Sequence, residues 1–324
     1  MSVLRFLWNL LLAILLVVSS VLVLGTALGL VATRTWETKG LDDGVPSSTW
    51  LWLEGEPIYY QDQGERDGPC VVLVHGHSLE GSKTWEKNVT APVRRGLRVV
   101  TVDLRGYGRS ERAAEPVYSV RQQAELLAAV LNNLQVAGAT VVTHDLASAV
   151  ALQMALDQPQ FVDRIVLIAP LLERPAEPLW DWALKVPHLR RAALWARWGG
   201  GPALGLERKA QFVNRDLVTS EYLQLVRDAT HVAGTSAALE AMVTTPADDD
   251  LPEGLTDLNV PVLVLLGDGD SVVTAESAAT WLEALPTAEV VTIERAGHYP
   301  HYEQSAAVNQ RLIEFASSSA PLGE

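Results

Sequence analysis

The pattern of apolar and polar positions divides the chain into three kinds of segment. Residues 6–33 contain no charged side chain and consist mainly of Leu, Val, Ile and Ala. Further along, short unbroken runs of Val, Ile and Leu recur, which is typical of β-strands covered on both faces. Segments with the spacing of amphipathic helices separate the later runs. This alternation predicts an α/β domain with a mostly parallel, doubly wound sheet.

Eight strands are expected, and the first of them form an antiparallel pair. Their predicted ranges are 49–54, 58–62, 71–75, 98–103, 140–143, 164–169, 261–266 and 289–293. The clearest helices are predicted at 120–134, 146–156, 275–284 and 302–316. Between residues 171 and 258 the pattern is helical, without a convincing strand. We interpret that stretch as a helical cap inserted after the sixth strand.

The predicted organisation therefore has five parts. They are an anchor at 1–33, a polar linker at 34–48, an α/β core at 49–170 and 259–316, the cap at 171–258, and a tail at 317–324.

The first apolar segment predicts a single-pass membrane anchor. As a helix, the 28 residues from 6 to 33 would rise about 42 Å, more than the roughly 30 Å that a bilayer core requires. A cleaved signal peptide is the alternative, but its apolar part is usually only about 7–15 residues long. Basic residues occur on both sides of the segment, at Arg5, Arg34 and Lys39. The side of the membrane that the domain faces is therefore left open.

Composition narrows the possible partners. The chain has 324 residues, of which 48% are hydrophobic and 20% charged, as in globular proteins. A formal net charge of -14 argues against a nucleic-acid partner, because a phosphate backbone requires a basic face. The single cysteine, Cys70, excludes an internal disulfide and a cysteine-based metal site. No cluster has metal-ligand spacing, so neither a metal nor another cofactor is expected.

Chemistry-bearing residues follow several of the predicted strands. His75-Gly76-His77 ends the third strand, and a Gly-rich turn at 103–110 follows the fourth. His144-Asp145-Leu146 joins the fifth strand directly to a helix. Gly267-Asp268-Gly269-Asp270 and Gly297-His298 follow the last two strands.

In this order, over about residues 50–316, these segments resemble the α/β-hydrolase family. The resemblance implies that fold, with Asp145 as nucleophile, His298 as base and Asp270 as the acid that orients it. It also implies an oxyanion hole formed by the backbone N–H groups of His77 and Leu146. Asp268 is a competing candidate for the acid, and Glu173 is a third.

An aspartate at the nucleophile position changes the expected reaction. A carboxylate is suited to attack an sp³ carbon that bears a leaving group, which gives an alkyl-enzyme ester. Water activated by His298 would then cleave this ester. The pattern is similar to the haloalkane dehalogenases and epoxide hydrolases of the family, so an apolar epoxide or haloalkane-type substrate is expected.

The sequence also permits two other interpretations of the function. One is an esterase-like or lyase enzyme that uses His298 as base without a covalent Asp145. The other is a non-catalytic, membrane-tethered protein in which Asp145 only caps a helix.

The chain also departs from the patterns of the family. Thr143 and Ala147 flank the nucleophile where glycines are usual. The halide-binding Trp after the nucleophile, the carboxylate-binding arginines and a pair of cap tyrosines are absent from the sequence. The identity of the substrate is therefore left open.

The cap contains a cluster of tryptophans. Trp180, Trp182, Trp195 and Trp198 are accompanied by Lys185, Arg190, Arg191 and Arg197. Trp mixed with Lys and Arg is typical of helices that lie at a membrane surface. One hypothesis is that the cap contacts the bilayer and admits an apolar substrate from the lipid. The alternative is that the tryptophans cover the pocket and pack in the core. Trp180, Trp182 and Tyr222 are the predicted substrate-binding side chains.

Overall fold

A computed structural model describes residues 2–41, 49–172, 178–198, 202–245, 254–285 and 288–318. In these residues one sheet of eight strands runs in the order β1-β2-β4-β3-β5-β6-β7-β8. β1 and β2 pair in antiparallel fashion, β2 is antiparallel to β4, and the other pairs are parallel. The strands are β1 (Trp50–Leu53), β2 (Glu56–Gln63), β3 (Cys70–Val74), β4 (Arg98–Val102), β5 (Ala139–His144), β6 (Val162–Ile168), β7 (Val262–Gly267) and β8 (Ala288–Ile293). The predicted mostly parallel, eight-stranded sheet is confirmed.

Both faces of the sheet are covered, which explains the unbroken apolar strands. In β3, Val72 and Val74 belong to one buried cluster, and Val71 and Leu73 belong to the cluster on the opposite face. This follows from the two-residue period of a strand. The helices that flank the sheet are α2 (Thr90–Arg94), α3 (Val120–Asn133), α4 (Ala147–Asp157), α10 (Ala275–Leu282), α11 (Pro300–Glu303) and α12 (Ser305–Ser317).

The described residues between β6 and β7 are mainly helical. They form α5 (Pro178–Lys185), α6 (Pro187–Trp198), α7 (Pro202–Gln211), α8 (Ser220–Thr230) and α9 (Thr235–Thr244). Two apolar clusters tie these helices to the core. One includes Leu194 and Met242 of the cap with Leu79 of the loop after β3. The other includes Phe212 of the cap and Tyr299, which follows His298.

The N-terminal helix α1 (Ser2–Trp36) is the longest helix described. In the described part of the chain, its stretch Arg5–Ala27 has the length and apolarity needed to cross a membrane, and none of this stretch is buried in the structure. A signal sequence meets the same criteria. The membrane anchor therefore remains a prediction.

The start of the expected linker is ordered against the cap. Trp36 is buried and donates its indole N–H to Thr230. The carboxylate of Glu37 accepts the backbone N–H groups of Gly234 and Ser236 at the start of α9. This polar segment packs against the cap because Trp36 buries its apolar indole and Glu37 accepts the N–H groups at the start of a helix. Residues 42–48 of the linker and 319–324 of the tail lie outside the described part.

Candidate active site

Asp145 lies at the turn between β5 and α4. Its φ is 56°, a left-handed conformation that Asp tolerates better than most residues other than glycine. The flanking Thr143 fits because its side chain is buried, with its hydroxyl 3.3 Å from that of Ser148. The departure from flanking glycines therefore does not prevent the sharp turn. The turn raises the Asp145 side chain at the carboxyl edge of the sheet.

The loop after β3 approaches this carboxylate closely. A Cβ on Gly76 would lie 2.6 Å from the Cβ of Asp145, so only glycine fits at that position. The next residue, His77, donates its backbone N–H to Asp145 Oδ2 at 3.0 Å. Both predicted oxyanion donors lie in the described residues, but the structure records a hydrogen bond to Asp145 from His77 only. The role of Leu146 stays a prediction.

His298 connects two carboxylates. Its Nδ1 is 3.0 Å from Asp270 Oδ2, and its Nε2 is 3.7 Å from Asp145 Oδ1. The other oxygen of Asp270 accepts the backbone N–H groups of Val272 and Val273 at 2.7 and 3.0 Å. Those two bonds fix the carboxylate that orients the imidazole.

The competing acids lie elsewhere or cannot be described. Asp268 Oδ1 instead accepts the backbone N–H of Ala296 at 3.2 Å, as expected for a turn residue. Glu173 lies outside the described residues.

The charges of this group are strongly coupled. Burial by itself would lower the pKa of His298, but Asp145 and Asp270 outweigh it and raise that pKa to about 9. Burial also opposes ionisation of Asp145, yet the hydrogen bonding and charge of His298 bring the pKa of Asp145 well below its usual range. Near neutral pH the resting site thus contains an imidazolium between two carboxylates.

A neighbouring histidine is held neutral. Burial, followed by the charge of His298, lowers the pKa of His144 to about 4. His144 Nε2 lies 2.8 Å from the backbone oxygen of His298, so the neutral ring donates from this nitrogen. His144 therefore supports the loop that carries the base.

A cavity of about 80 Å³ lies beside the oxyanion loop and the start of α4. Its lining includes His77, Tyr107, Tyr118, Leu146, Val150 and Leu172. His77 Nδ1 is 2.7 Å from the Tyr107 hydroxyl, and Trp198 of the cap contacts the His77 ring edge-on at a centroid distance of 6.0 Å. The pocket thus combines an apolar wall with a hydrogen-bonded His77–Tyr107 pair.

The predicted substrate-binding residues Tyr222 and Trp182 do not line the cavity beside the oxyanion loop. Tyr222 is buried in the aromatic cluster with Phe212, Tyr299 and Tyr302, and it lines a second cavity rather than the one beside the oxyanion loop. Trp182 is exposed on α5. Trp180 belongs to the same helix, but its side chain lies outside the part that the structure describes. Instead, Tyr107 and His77 line the cavity beside the oxyanion loop, and Trp198 of the cap contacts the His77 ring.

A buried ion pair joins the cap to the oxyanion loop. Arg208 of α7 lies 3.3 Å from Glu80, and both side chains are almost fully buried. The guanidinium also lies over the ring of Tyr299, 5.0 Å from its centroid. Sequence reasoning missed this arginine. The available signal was its spacing: Arg208 lies four residues after the buried Leu204, on the inward face of a helix.

The described residues contain no group of three or more His, Cys, Asp or Glu side chains that could hold a metal ion.

The fold and the Asp–His–Asp arrangement define an α/β-type hydrolase, and comparison with known proteins agrees. Residues 71–311 match the Alpha/beta hydrolase family, and the chain belongs to this family.

Two relatives align with this chain over nearly their whole length. The non-heme chloroperoxidase of Streptomyces lividans is 28% identical, with 82% of this chain and 98% of the relative aligned. The bifunctional esterase/perhydrolase DCH of Acinetobacter calcoaceticus is 27% identical, with the same shares aligned. The names of these relatives indicate hydrolases and peroxidases, and do not indicate an aspartate nucleophile.

Solved structures support the fold alone. The meta-cleavage product hydrolase CumD from Pseudomonas fluorescens IP01 has a TM-score of 0.69 at 24% identity, with 82% of this chain and 96% of CumD covered. The 2-hydroxy-6-oxo-6-phenylhexa-2,4-dienoate hydrolase from a Rhodococcus strain has a TM-score of 0.70 at 19% identity, with 83% and 98% covered.

Proposed function

We propose that this hydrolase works through an alkyl-enzyme ester on Asp145 and acts on apolar epoxide or haloalkane-type substrates. The observation that carries the proposal is that the two oxygens of Asp145 have different contacts. Oδ2 accepts the His77 amide, whereas Oδ1 lies 3.7 Å from His298 Nε2. One oxygen is thus positioned for charge stabilisation and the other for attack.

The first step is a displacement at carbon. Oδ1 of Asp145 forms a bond to the substrate carbon, and the bond to the leaving group breaks with its electron pair. A halide departs as an anion, whereas an opened epoxide becomes an alkoxide that needs a proton. The Tyr107 hydroxyl and the His77 ring, hydrogen-bonded at 2.7 Å in the wall of the pocket, are the proposed donors to this leaving group.

The second step is hydrolysis of the ester. Water gives a proton to His298 and adds to the Cγ of Asp145, so that negative charge develops on Oδ2. The His77 amide already donates to that oxygen, and one such donor contributes about 3–4 kcal/mol to the transition state. Collapse of the tetrahedral centre expels the alkoxide, which takes the proton held by His298 and leaves as the alcohol. The proton of the Asp145 carboxyl group then passes to His298, which restores the carboxylate and the imidazolium.

Alkylation itself would prepare the base. In the resting site, the two carboxylates raise the pKa of His298 to about 9, so the ring is protonated and cannot accept a proton from water. Conversion of Asp145 to a neutral ester removes one of the two negative charges. The pKa of His298 then falls, the ring loses its proton, and general-base catalysis becomes possible.

Trapping the intermediate tests the proposal. A His298→Gln variant should accumulate the ester on glycidyl phenyl ether or 1-bromobutane, and intact mass and peptide mapping should locate the adduct at Asp145. The matched control is the double variant Asp145→Asn/His298→Gln, which should gain no mass. Absence of an adduct in the single variant, while the wild type turns over the same compound, would exclude the covalent route.

An esterase-like reaction is the second candidate, because one characterised relative is named an esterase. Single turnover in ¹⁸O water separates the two. The covalent route puts the label into Asp145 and leaves the first product unlabelled. Direct attack by water, tested on p-nitrophenyl acetate, would label the acid product at once. A non-catalytic protein would show no turnover with either class of compound.

A further inference from the structure

The end of the N-terminal helix and the cap form one continuous packed unit. α1 lies along α6, and a Cβ on Gly29 would approach the Cβ of Arg191 to 3.0 Å. A glycine at this point allows the two helices to come close together. The position of this contact locates the cap relative to a membrane that α1 would cross.

If Arg5–Ala27 spans a bilayer, the contact falls at the depth of lipid headgroups. Gly29 lies two residues beyond this candidate span, and two residues of helix advance about 3 Å along the axis. The headgroup layer on each side of a bilayer is about 5–8 Å thick. If Ala27 marks the edge of the hydrocarbon, α6 therefore lies within the headgroup layer where it meets Gly29.

The junction leaves little freedom to move away from that position. Besides the contacts of Trp36 and Glu37, the backbone N–H groups of Thr38 and Lys39 donate to the backbone oxygen of His231 at 2.9 and 3.0 Å. The side chain of Lys39 pairs with Asp228 at 2.8 Å. The anchor is thus joined to the cap by a bonded segment, so the same cap face stays towards the bilayer.

The side chains on α5 and α6 suit that environment. Trp182 and Trp195 expose 58% and 46% of their surface, although large aromatic side chains are usually buried in soluble domains. Lys185 and Arg191 on the same two helices are also exposed. Trp with Lys and Arg is the combination that stabilises helices at the membrane–water interface.

We propose that the cap docks on the lipid bilayer through the exposed faces of α5 and α6, next to the point where α1 leaves the membrane. The consequence concerns the active site, because α6 ends at Trp198, which contacts His77. α6 therefore connects the contact with α1 at Arg191 to the ring of His77, which lines the pocket. Docking itself requires no particular chemistry at Asp145; delivery of an apolar substrate from the lipid rests on the proposed function.

Site-directed fluorescence on the full chain in phosphatidylcholine/phosphatidylglycerol vesicles tests the docking. Cys70, whose pKa burial raises to about 11, is replaced by Ser, and single cysteines at 182, 195 or 290 are labelled with NBD. Val290 is the matched control, because it is 45% exposed and belongs to β8, which is an edge strand of the sheet. Since α1 holds every variant at the membrane, a difference between the three labels reports which face of the domain lies against the lipid.

Labels at 182 and 195 should be quenched by shallow doxyl-phosphatidylcholine at least about threefold more than the label at 290. They should also be less accessible to aqueous iodide. Equal quenching at all three positions would overturn the proposal. Protection from iodide without quenching by doxyl lipid would also overturn it, because the face would then be covered by protein. Circular dichroism and matching thermal unfolding ensure that the labelled chains are folded.

Discussion

Replacement of Asp145 by Asn isolates the electrostatic coupling on which the proposed mechanism depends. Asn keeps the shape of the side chain and tolerates the positive φ at this turn, but it removes one negative charge 3.7 Å from His298 Nε2. At that separation, a unit charge in an effective dielectric constant of about 20 contributes roughly 4 kcal/mol, and sharing of the charge with the more distant oxygen reduces this to about 2–4 kcal/mol. The pKa of His298 should therefore fall by about 1.5–3 units.

The assay is an NMR titration of the imidazole in ¹⁵N-histidine-labelled protein. In the wild type His298 should titrate near pH 9, and in Asp145→Asn between about pH 6 and 7.5. A His298→Asn spectrum assigns the signal among the seven histidines of the chain. The charge-matched control is Asp268→Asn, because Asp268 bonds to the backbone of Ala296 and not to His298.

One result would refute the reasoning. If His298 still titrates near pH 9 in Asp145→Asn, Asp270 alone sets its pKa. Alkylation of Asp145 would then not lower the pKa of His298. His298 would stay protonated and could not act as the base in the second step of the mechanism. A wild-type pKa below 7 would equally contradict the charge arrangement.

Three further predictions concern stability and the shape of the site. Gly76→Ala should leave the protein folded but reduce turnover of 1-bromobutane by more than about tenfold, because the new Cβ would lie 2.6 Å from that of Asp145; unchanged turnover would show that the loop yields freely. Glu80→Gln leaves the buried Arg208 unpaired and should lower the free energy of urea unfolding by about 3–5 kcal/mol, whereas loss below 1 kcal/mol would mean that water reaches the pair. The pKa of His298 is near 9 in the folded protein, against an ordinary value of 6.5. Its contribution to stability is therefore complete below pH 6.5 and is lost as the pH rises through 9. Urea unfolding at several pH values should show this decline, and Asp145→Asn should make it smaller.

The sheet could be predicted from the sequence because its signals are local. In β3 every position is apolar and all but Cys70 are buried, and a strand covered on both faces requires that composition. Asp145, Asp270 and His298 could be expected to meet because each follows a parallel strand, and the carboxyl ends of such strands share one edge of the sheet. Their convergence within 3.7 Å agrees with that expectation.

Other contacts could not be predicted, because they join distant segments without a local pattern. Glu80 and Arg208 are 128 positions apart, and neither position is distinctive by itself. The docking of Trp36 on Thr230 spans 194 positions, and the sequence around Trp36 is polar enough to be interpreted as a free linker. Trp198 was one of several tryptophans, and only the packing of α6 distinguishes it by its contact with His77.

The cap arginine and the elbow aspartate are connected by charge. With His298 protonated, the Asp145–His298–Asp270 group has a net charge of −1 in a buried site, which is costly unless a cation lies close by. Arg208 of the cap interacts with this group, but it is itself paired with Glu80, so the five charged groups together still sum to −1. Burial would lower the pKa of Arg208, but the charges of Glu80 first and Asp145 among others raise it, so the guanidinium stays charged. Because Asp145 is one of the charges that favour the charged guanidinium, Arg208 in turn favours the ionised form of Asp145. Arg208 belongs to α7 of the cap, so a displaced cap should leave Asp145 easier to protonate.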